Sequence, residues 1–487
     1  MVHPTHSWLR KIAIAFVPGP TSPLLDEAVA QLFDRFRAHG HPILDNPGDP
    51  PGAEVVLTSA RFGEPIPWRE SLTLTARRRF KLEHAPTVLS LVHARPADWK
   101  QVYTRLGAAM AKDPPDPADF DFPGLRDRAF HTLIEQGKRA GPIMAMIRLV
   151  QSQAMSIRNI VILGEDHPQI AYTFDLVGGH PVSDAAEGQA FYDDLMYRIL
   201  TAACTHEITD HVILEEKIPF STWQALDTPR AMRSTGLELG RLGFFTEMIK
   251  VDNLVNIPLI NLTIASQYSE GCFATWEPSL NALVCTITGS ARPVEKDNLT
   301  DDELAIITGI RPDGKGAYVR HVEGKRNDPP SSEAVEMIAV DQVLPKIELD
   351  GRGQAPVARS KLHGHRGVRS FDPEFVEFAP LDPPYYHFPV SCSTEAQANA
   401  IRVAFARSQA LQNPSDPRQV VFTILPTHGV LIIEKWVPGK APFEVICETI
   451  SSGRLEIESE VPQGPMDYQL DAGGCYVKRI LYPDFAY

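Results

Sequence analysis

The sequence lacks the features of membrane proteins and of secreted, disulfide-bonded proteins. No stretch approaches the ~20 apolar residues that cross a bilayer, and the most apolar N-terminal segment, 12–17, is shorter than a signal-peptide core. The six cysteines among 487 residues include no C-x-x-C pair, so neither a disulfide framework nor a zinc knuckle is predicted. We therefore expect a cytoplasmic protein with reduced thiols and no membrane contact.

Positive charge is also scarce. The chain carries 47 basic against 61 acidic side chains, a formal net charge of -14, and it has no long Lys/Arg run. A nucleic-acid surface is therefore not expected. The partners that remain are a small-molecule substrate and further copies of the chain. The apolar, aromatic segment 476–487 needs cover and favours a homo-oligomer.

Several common catalytic motifs are missing. No G-x-G-x-x-G follows the first predicted strand, and the segment 17–20 places prolines where backbone N–H groups would have to bind a pyrophosphate. No G-x-S-x-G, H-E-x-x-H or P-loop motif occurs either. A dinucleotide dehydrogenase is therefore disfavoured.

The sequence does contain an organised pattern of elements. Short apolar strands alternate with amphipathic helices over the first hundred residues, and the proline-rich segment 112–124 reads as a linker. Because 487 residues exceed a single core, we predict two Rossmann-like α/β domains, 1–118 and 119–255, and then a β-rich, barrel-like C-terminal domain, 256–487. The strands predicted for that last domain include 339–349, 368–378, 420–425, 429–436, 443–449 and 454–457.

Acidic and histidine side chains in the C-terminal part are candidates for a metal site. Glu270 and Glu277 stand among aromatic residues, where a buried carboxylate must be paired, protonated or metal-bound. His363 and His365 flank a glycine, and His387 follows a run of prolines and tyrosines. Exposed loop acids and ordinary core or surface histidines explain the same pattern, so both interpretations stay open.

Basic residues near glycines are candidates for binding an anionic substrate group. Arg311 and Lys315 lie in a glycine-punctuated stretch, and Arg61 follows a predicted strand at the end where open α/β sheets bind ligands. His365 joins them as a candidate substrate-binding residue. An exposed loop of mixed charge is the alternative for the Arg311 stretch.

Three segments resemble a known enzyme family. Phe245–Ile249, Ala274–Ala282 and Thr288–Gly289 resemble L-fucose isomerase and its L-arabinose isomerase relatives. In that family a Glu and a following Asp bind Mn²⁺ with a His of the C-terminal domain. The resemblance implies two α/β domains before a β-barrel, and an oligomeric assembly.

Residue by residue, the resemblance implies a particular ligand set. Glu247 matches the first carboxylate, whereas the Asp position falls on Pro278, which leaves Glu277 or Glu270 as substitutes. The implied ligands of a divalent Mn or Mg ion are Glu247, Glu270, Glu277 and His387, with Glu247 and Glu277 also catalytic.

The implied function is a metal-dependent sugar ketol-isomerase activity on a small polar metabolite. An enediol route needs a proton moved between adjacent carbons and a stabilised oxyanion, for which two carboxylates and a divalent ion are suitable. We expect Glu247, Glu270 and Glu277 to converge with at least one of His363, His365 and His387 in one cleft. The alternative is a non-catalytic metabolite-binding or assembly protein with an isomerase-like architecture.

Overall fold

A computed structural model gives the fold of two compact units. One unit comprises Met1–His206, Met248–Ala265 and Pro483–Tyr487, and the other Glu207–Glu247 and Ser266–Tyr482. The residues that the structure describes are 11–17, 22–44, 53, 55–61, 87–93, 157–163, 170–174, 179–184, 192–193, 195–196, 199–200, 211–245, 271–288, 295–331, 333–349, 351, 353–382, 394–426, 428–458 and 466–480.

The first unit contains a seven-stranded sheet in the order β2-β1-β3-β4-β5-β6-β7. Its strands are β1 (Ile14–Val17), β2 (Ile43–Leu44), β3 (Val55–Arg61), β4 (Thr87–His93), β5 (Ile157–Leu163), β6 (Ile170–Phe174) and β7 (Gly179–Asp184). The first five strands are parallel, and β6 and β7 extend the sheet in antiparallel fashion. Because β5–β7 lie beyond residue 118 yet pair into the sheet of β1–β4, the predicted boundary at residue 118 does not separate two sheets.

Helix α1 (Pro23–Ala38) connects β1 to β2 and shows why this part of the chain was predictable. The Ser22 hydroxyl accepts a hydrogen bond from the Leu25 N–H at the start of the helix, a common N-cap. Apolar residues at three- and four-residue spacing, among them Leu25, Leu32 and Phe36, are buried. The predicted first strand and first helix are therefore confirmed, and the later helices expected over the first hundred residues lie outside the described residues.

The second unit contains fifteen of the described strands. They are β8 (Val212–Ile213), β9 (Cys272–Glu277), β10 (Ala282–Thr286), β11 (Leu304–Ile310), β12 (Ala317–Arg320), β13 (Lys346–Leu349), β14 (Gly353–Pro356), β15 (Ala358–Gly364), β16 (Gly367–Phe371), β17 (Val376–Phe378), β18 (Val420–Leu425), β19 (Gly429–Lys435), β20 (Leu455–Glu458), β21 (Met466–Leu470) and β22 (Tyr476–Ile480).

Nine of these strands form one large, mostly antiparallel sheet. Its order is β17-β18-β19-β15-β9-β10-β11-β12-β8, and the described strands at its two edges, β17 and β8, do not pair with each other. Strands β13 and β14 form a hairpin, and β20-β16-β22-β21 form a four-stranded sheet. The C-terminal part is thus β-rich as predicted, but its described strands form open sheets and not a closed barrel.

Helices cover both faces of the nine-stranded sheet. They are α2 (Phe220–Gln224), α3 (Thr228–Arg241), α4 (Ala334–Asp341), α5 (Glu395–Ala406), α6 (Gln409–Gln412) and α7 (Glu444–Ser451). Helices α4 and α5 pack against each other and contribute to one core, with Cys272 and Ala274 of β9. Helices α3 and α7 contribute to the other core, with Phe273. Alternate residues of β9 therefore serve opposite cores.

One predicted strand is wrong, and another is right only in its second half. In the segment 339–349, residues up to Asp341 complete helix α4, and the strand begins only at Lys346, after Pro345. The segment 443–449 forms helix α7. Both are short apolar runs, for which periodicity does not separate a buried strand from a buried helix. No helix of the described residues combines the length and the apolar character that a membrane span requires.

Candidate metal centre

Three histidines meet at one end of the two central strands β15 and β19. His363 lies within β15, His365 follows that strand and His428 precedes β19, whose Val430 pairs with Gly364. The ring centroids are 5.2 Å (His363–His365), 4.7 Å (His363–His428) and 5.1 Å (His365–His428) apart. One ring nitrogen from each histidine lies within 4.8 Å of the other two. The fold therefore gathers three imidazoles around one point.

Two glycines allow this approach. A Cβ placed on Gly429 would lie 2.0 Å from the Gly364 carbonyl oxygen, and one on Gly364 would lie 2.4 Å from a ring carbon of Phe244. Contacts this short exclude any side chain at either position without movement of the backbone or the ring. The glycines beside His365 and His428 thus let the two strand ends come together.

The hydrogen bonding of His363 leaves one ring nitrogen available to a metal. Nδ1 lies 3.0 Å from the Val430 carbonyl oxygen, which can only accept, so Nδ1 carries the proton. Nε2 is buried and has no hydrogen-bond partner among the described residues. Burial lowers the pKa of His363 to about 4, which keeps the ring neutral at pH 7. A neutral imidazole whose outer nitrogen donates to a backbone carbonyl is the usual form of a metal-binding histidine.

His428 is held from a neighbouring helix. It is 2% exposed, and the side-chain amide of the buried Gln397, in α5, lies 2.7 Å from its Nδ1. The atom at this distance is the amide nitrogen, and rotation of the amide group by half a turn interchanges it with the oxygen. With the oxygen towards Nδ1–H, the amide orients the ring and leaves Nε2 as the metal-binding nitrogen. Nε2 of His428 is also 4.0 Å from Oε1 of Glu333.

Two carboxyl groups at the start of α4 lie beside the histidines. Oε2 of Glu333 accepts a hydrogen bond of 2.6 Å from the Ser331 hydroxyl. Glu336 is 1% exposed, and no other residue in the described part of the chain donates a hydrogen bond to its carboxyl oxygens. Burial raises its pKa well above the usual range. Both glutamates line a small cavity together with His363 and Gln397, with room for about one water molecule. A buried carboxyl without a partner is costly and points to a role in that cavity.

A thiolate site is not formed nearby. Cys272 is directly opposite His363 in the sheet and is fully buried beside Cys285. Burial raises the pKa of Cys272 well above its usual value, so the thiol stays protonated at neutral pH and is a poor metal ligand.

Glu277, predicted as both a metal ligand and a catalytic residue, is not brought to the histidines. Its carboxylate accepts hydrogen bonds from the Thr228 hydroxyl at 2.5 Å and from the N–H and hydroxyl of Ser279 at 2.9 and 2.6 Å. It lies five residues along β9 from Cys272, about 17 Å away at ~3.3 Å per residue, and on the opposite face of the sheet. These contacts give Glu277 a structural role at the starts of α3 and a short 3-10 turn.

The predicted substrate-binding residues have different surroundings. His365 belongs to the histidine cluster. Arg311 pairs with Asp313 at 2.6 Å in the turn between β11 and β12, and the Lys315 N–H donates to the same carboxylate at 3.0 Å. A Cβ on Gly314 of that turn would lie 3.6 Å from Glu395 in α5. The turn is therefore next to the helix that orients His428.

The remaining predicted residues are not described in the same detail. Arg61 is the last residue of β3, at the carboxyl edge of the parallel sheet in the first unit. Glu247, Glu270 and His387 lie outside the described residues, so their expected convergence stays a prediction.

Sequence reasoning missed His428, Gln397, Glu333 and Glu336. His428 stands in the short turn between two strands that were predicted correctly, which was a usable signal. Glu333 and Glu336 are three residues apart in an apolar stretch, which is the spacing of one helix face. Only the end of that stretch, from residue 339, was assigned to an element, and it was predicted as a strand.

No family model, curated protein or solved structure matches the chain. Its function must therefore be inferred from the chemistry of this cluster.

Proposed function

We propose that the protein is a metal-dependent enzyme that acts on a small polar metabolite through a divalent ion held by His363, His365 and His428. The observation that carries the proposal is Nε2 of His363. It belongs to a neutral, buried ring, lies in the three-imidazole cluster, and has no hydrogen-bond partner within the described ranges. A buried nitrogen lone pair with no donor is costly unless a ligand such as a metal ion occupies it.

The nature of the donors favours particular metals. Imidazole nitrogen suits Zn, Fe, Cu and Ni, whereas Mg²⁺ prefers oxygen ligands. Three protein ligands with an open position are typical of catalytic sites, since structural zinc sites are closed by four. We therefore favour Zn²⁺ or Fe²⁺ over the Mg²⁺ expected from the sequence, and Mn²⁺ stays in the proposal only if carboxylate ligands join the histidines.

The surroundings favour proton-transfer chemistry at the metal. Glu333 and Glu336 line the same water-sized cavity as His363, so a carboxyl group lies near any oxygen that binds there. That cavity is too small for a sugar. Because His365 is the most exposed of the three histidines, a substrate would approach from its side. A divalent ion and a carboxylate together serve enediol formation or attack by a metal-bound water.

A ketol-isomerase activity is the reaction that we propose to test first. The presence of two carboxyl groups beside the cluster supports it, with Glu333 and Glu336 in the roles that the resemblance gave to Glu247 and Glu277. The same proposal includes a cytoplasmic location and a homo-oligomeric assembly. It also keeps the division of the N-terminal region into two domains, 1–118 and 119–255. The rival is a protein that binds the metal or a metabolite without catalysis.

Metal titration tests the proposal directly. The protein is stripped with a chelator and titrated with Zn²⁺, Fe²⁺ and Mn²⁺ separately. We expect one equivalent to bind in the wild type and to be lost in His363→Ala and His428→Ala. His321→Ala is the matched control, because His321 is also a buried histidine of this unit but lies outside the cluster. Absence of binding in the wild type, or full binding in His363→Ala, contradicts the proposal.

A second measurement separates the enzyme from its non-catalytic rival. The metal-loaded protein is incubated with aldoses and ketoses in D₂O, and deuterium incorporation at the carbon next to the carbonyl is followed by NMR. An enediol route exchanges that hydrogen with solvent, whereas simple binding leaves it in place. Stoichiometric metal without exchange on any sugar favours the rival.

A further inference from the structure

The three histidines do not complete a coordination shell, and the donors around them indicate what does. His363 is oriented by the Val430 carbonyl and His428 by the Gln397 amide. Glu333 has an equivalent arrangement: Ser331 holds Oε2 at 2.6 Å while Oε1 points towards His428. Metal ligands are usually held in this way by an outer partner.

Resting on the proposed metal site, we infer that Glu333 is the fourth protein ligand, which makes the centre a three-histidine, one-carboxylate site. The structure places Oε1 of Glu333 4.0 Å from Nε2 of His428. Two ligand atoms bound at ~2.0–2.1 Å in a tetrahedral shell are about 3.4 Å apart. Because Glu333 is not among the groups whose ligand atoms all lie within 4.8 Å of one another, a rotation of its side chain has to bring the carboxylate to the metal.

Charge favours the same assignment. Three neutral imidazoles leave the full double charge of the ion in a buried site, which is costly without an anion. The Glu333 side chain is 14% exposed, so its carboxylate keeps part of its hydration. It also sits at the first residue before helix α4, where the backbone dipoles favour negative charge. Glu336 stands in the first turn of the same helix and shares the dipole, but it is fully buried and lacks the hydration.

With Glu333 bound to the metal, Glu336 has a different role in the site. The cavity beside His363 has room for about one water molecule and is lined by both glutamates. A water or substrate oxygen bound as a fifth ligand would fill that space and contact the Glu336 carboxyl. A mixed nitrogen and carboxylate set also accepts Fe²⁺ or Mn²⁺ in addition to Zn²⁺.

The test compares four variants of the full-length protein. Affinities for Zn²⁺ are measured by competition with a chromophoric chelator, and Co²⁺ absorption reports the ligand set. We expect Glu333→Gln to weaken binding about 100-fold, and Ser331→Ala, which keeps the carboxylate but loses its holder, about 10-fold. Glu336→Gln should weaken binding at least tenfold less than Glu333→Gln. Glu323→Gln, at an exposed position, controls for the loss of one negative charge.

Each outcome has a distinct meaning. A wild type that binds no metal overturns the metal site itself and this inference with it. If the wild type binds but Glu333→Gln matches Glu323→Gln, the histidine site stands and the fourth ligand is wrong. A larger loss in Glu336→Gln than in Glu333→Gln also overturns it. Ser331→Ala leaves every proposed ligand in place. Its moderate loss of Zn²⁺ affinity and its altered Co²⁺ spectrum therefore test the inference even if Glu333→Gln folds poorly.

Discussion

Two buried glutamates, one on each face of the nine-stranded sheet, are treated in opposite ways. Glu434, on the α3/α7 face, is 1% exposed and accepts hydrogen bonds from the Ser360 hydroxyl and the N–H groups of Phe443, Val445 and Ile446. Glu336, on the α4/α5 face, is equally buried and accepts none from the described residues. The first carboxylate stabilises the fold, whereas the second costs stability.

The difference extends to the surroundings of each residue. The α3/α7 face is rich in aromatic contacts, and the ring centroids of Phe273 and Phe443 are 5.4 Å apart. The α4/α5 face buries His363, Cys272 and the Lys361–Asp341 ion pair at 2.8 Å. Buried polar and charged groups are expensive in a core, so their concentration on one face agrees with the metal site proposed there.

Glu434→Met gives the largest expected effect. The substitution keeps the side-chain volume but removes the acceptor of three N–H groups at the start of α7 and of one hydroxyl. We expect the free energy of unfolding to fall by about 4 kcal/mol, since each buried donor left unpaired costs ~1–3 kcal/mol. Urea denaturation followed by circular dichroism measures it. A loss below 1 kcal/mol would show that water replaces the carboxylate and would remove half of the comparison.

The same contacts explain what the sequence could and could not predict. Strands β18 and β19 were predicted because their apolar runs are flanked by turn residues, whereas β9 was not predicted. Helix α7 was predicted as a strand from its short apolar pattern. Its start depends on a hydrogen bond to Glu434 in strand β19, and such a tertiary contact overrides the local pattern. His363 and His365 could be singled out from their spacing, but only the pairing of β15 with β19 adds His428, and only the packing of α4 adds Glu333.

The pH dependence of His363 is the next largest effect. Its folded pKa is about 4 because of burial, against 6.5 for the ordinary side chain. Between these values the unfolded chain binds a proton that the folded protein does not, so stability is lost as pH falls from 6.5 to 4. We expect this loss to be smaller by about 3 kcal/mol in His363→Gln. Denaturation of the metal-free proteins at pH 7 and pH 4 measures it, and parallel pH profiles would show that the nitrogen is solvated.

Glu336→Met has the smallest expected effect on the free energy of unfolding, and that effect is an increase. It replaces a buried carboxyl that has no partner by an apolar side chain of similar volume, so we expect the metal-free protein to become more stable by about 1 kcal/mol. The gain should grow with pH. Burial raises the folded pKa of Glu336, so its contribution is most favourable below the unfolded value and is lost as pH rises towards the folded one. Denaturation of Glu336→Met and Glu434→Met side by side at pH 5 and pH 8 tests both signs. Destabilisation by Glu336→Met would mean that the carboxyl group is hydrogen-bonded in solution. The contrast between the two faces of the sheet would then be lost.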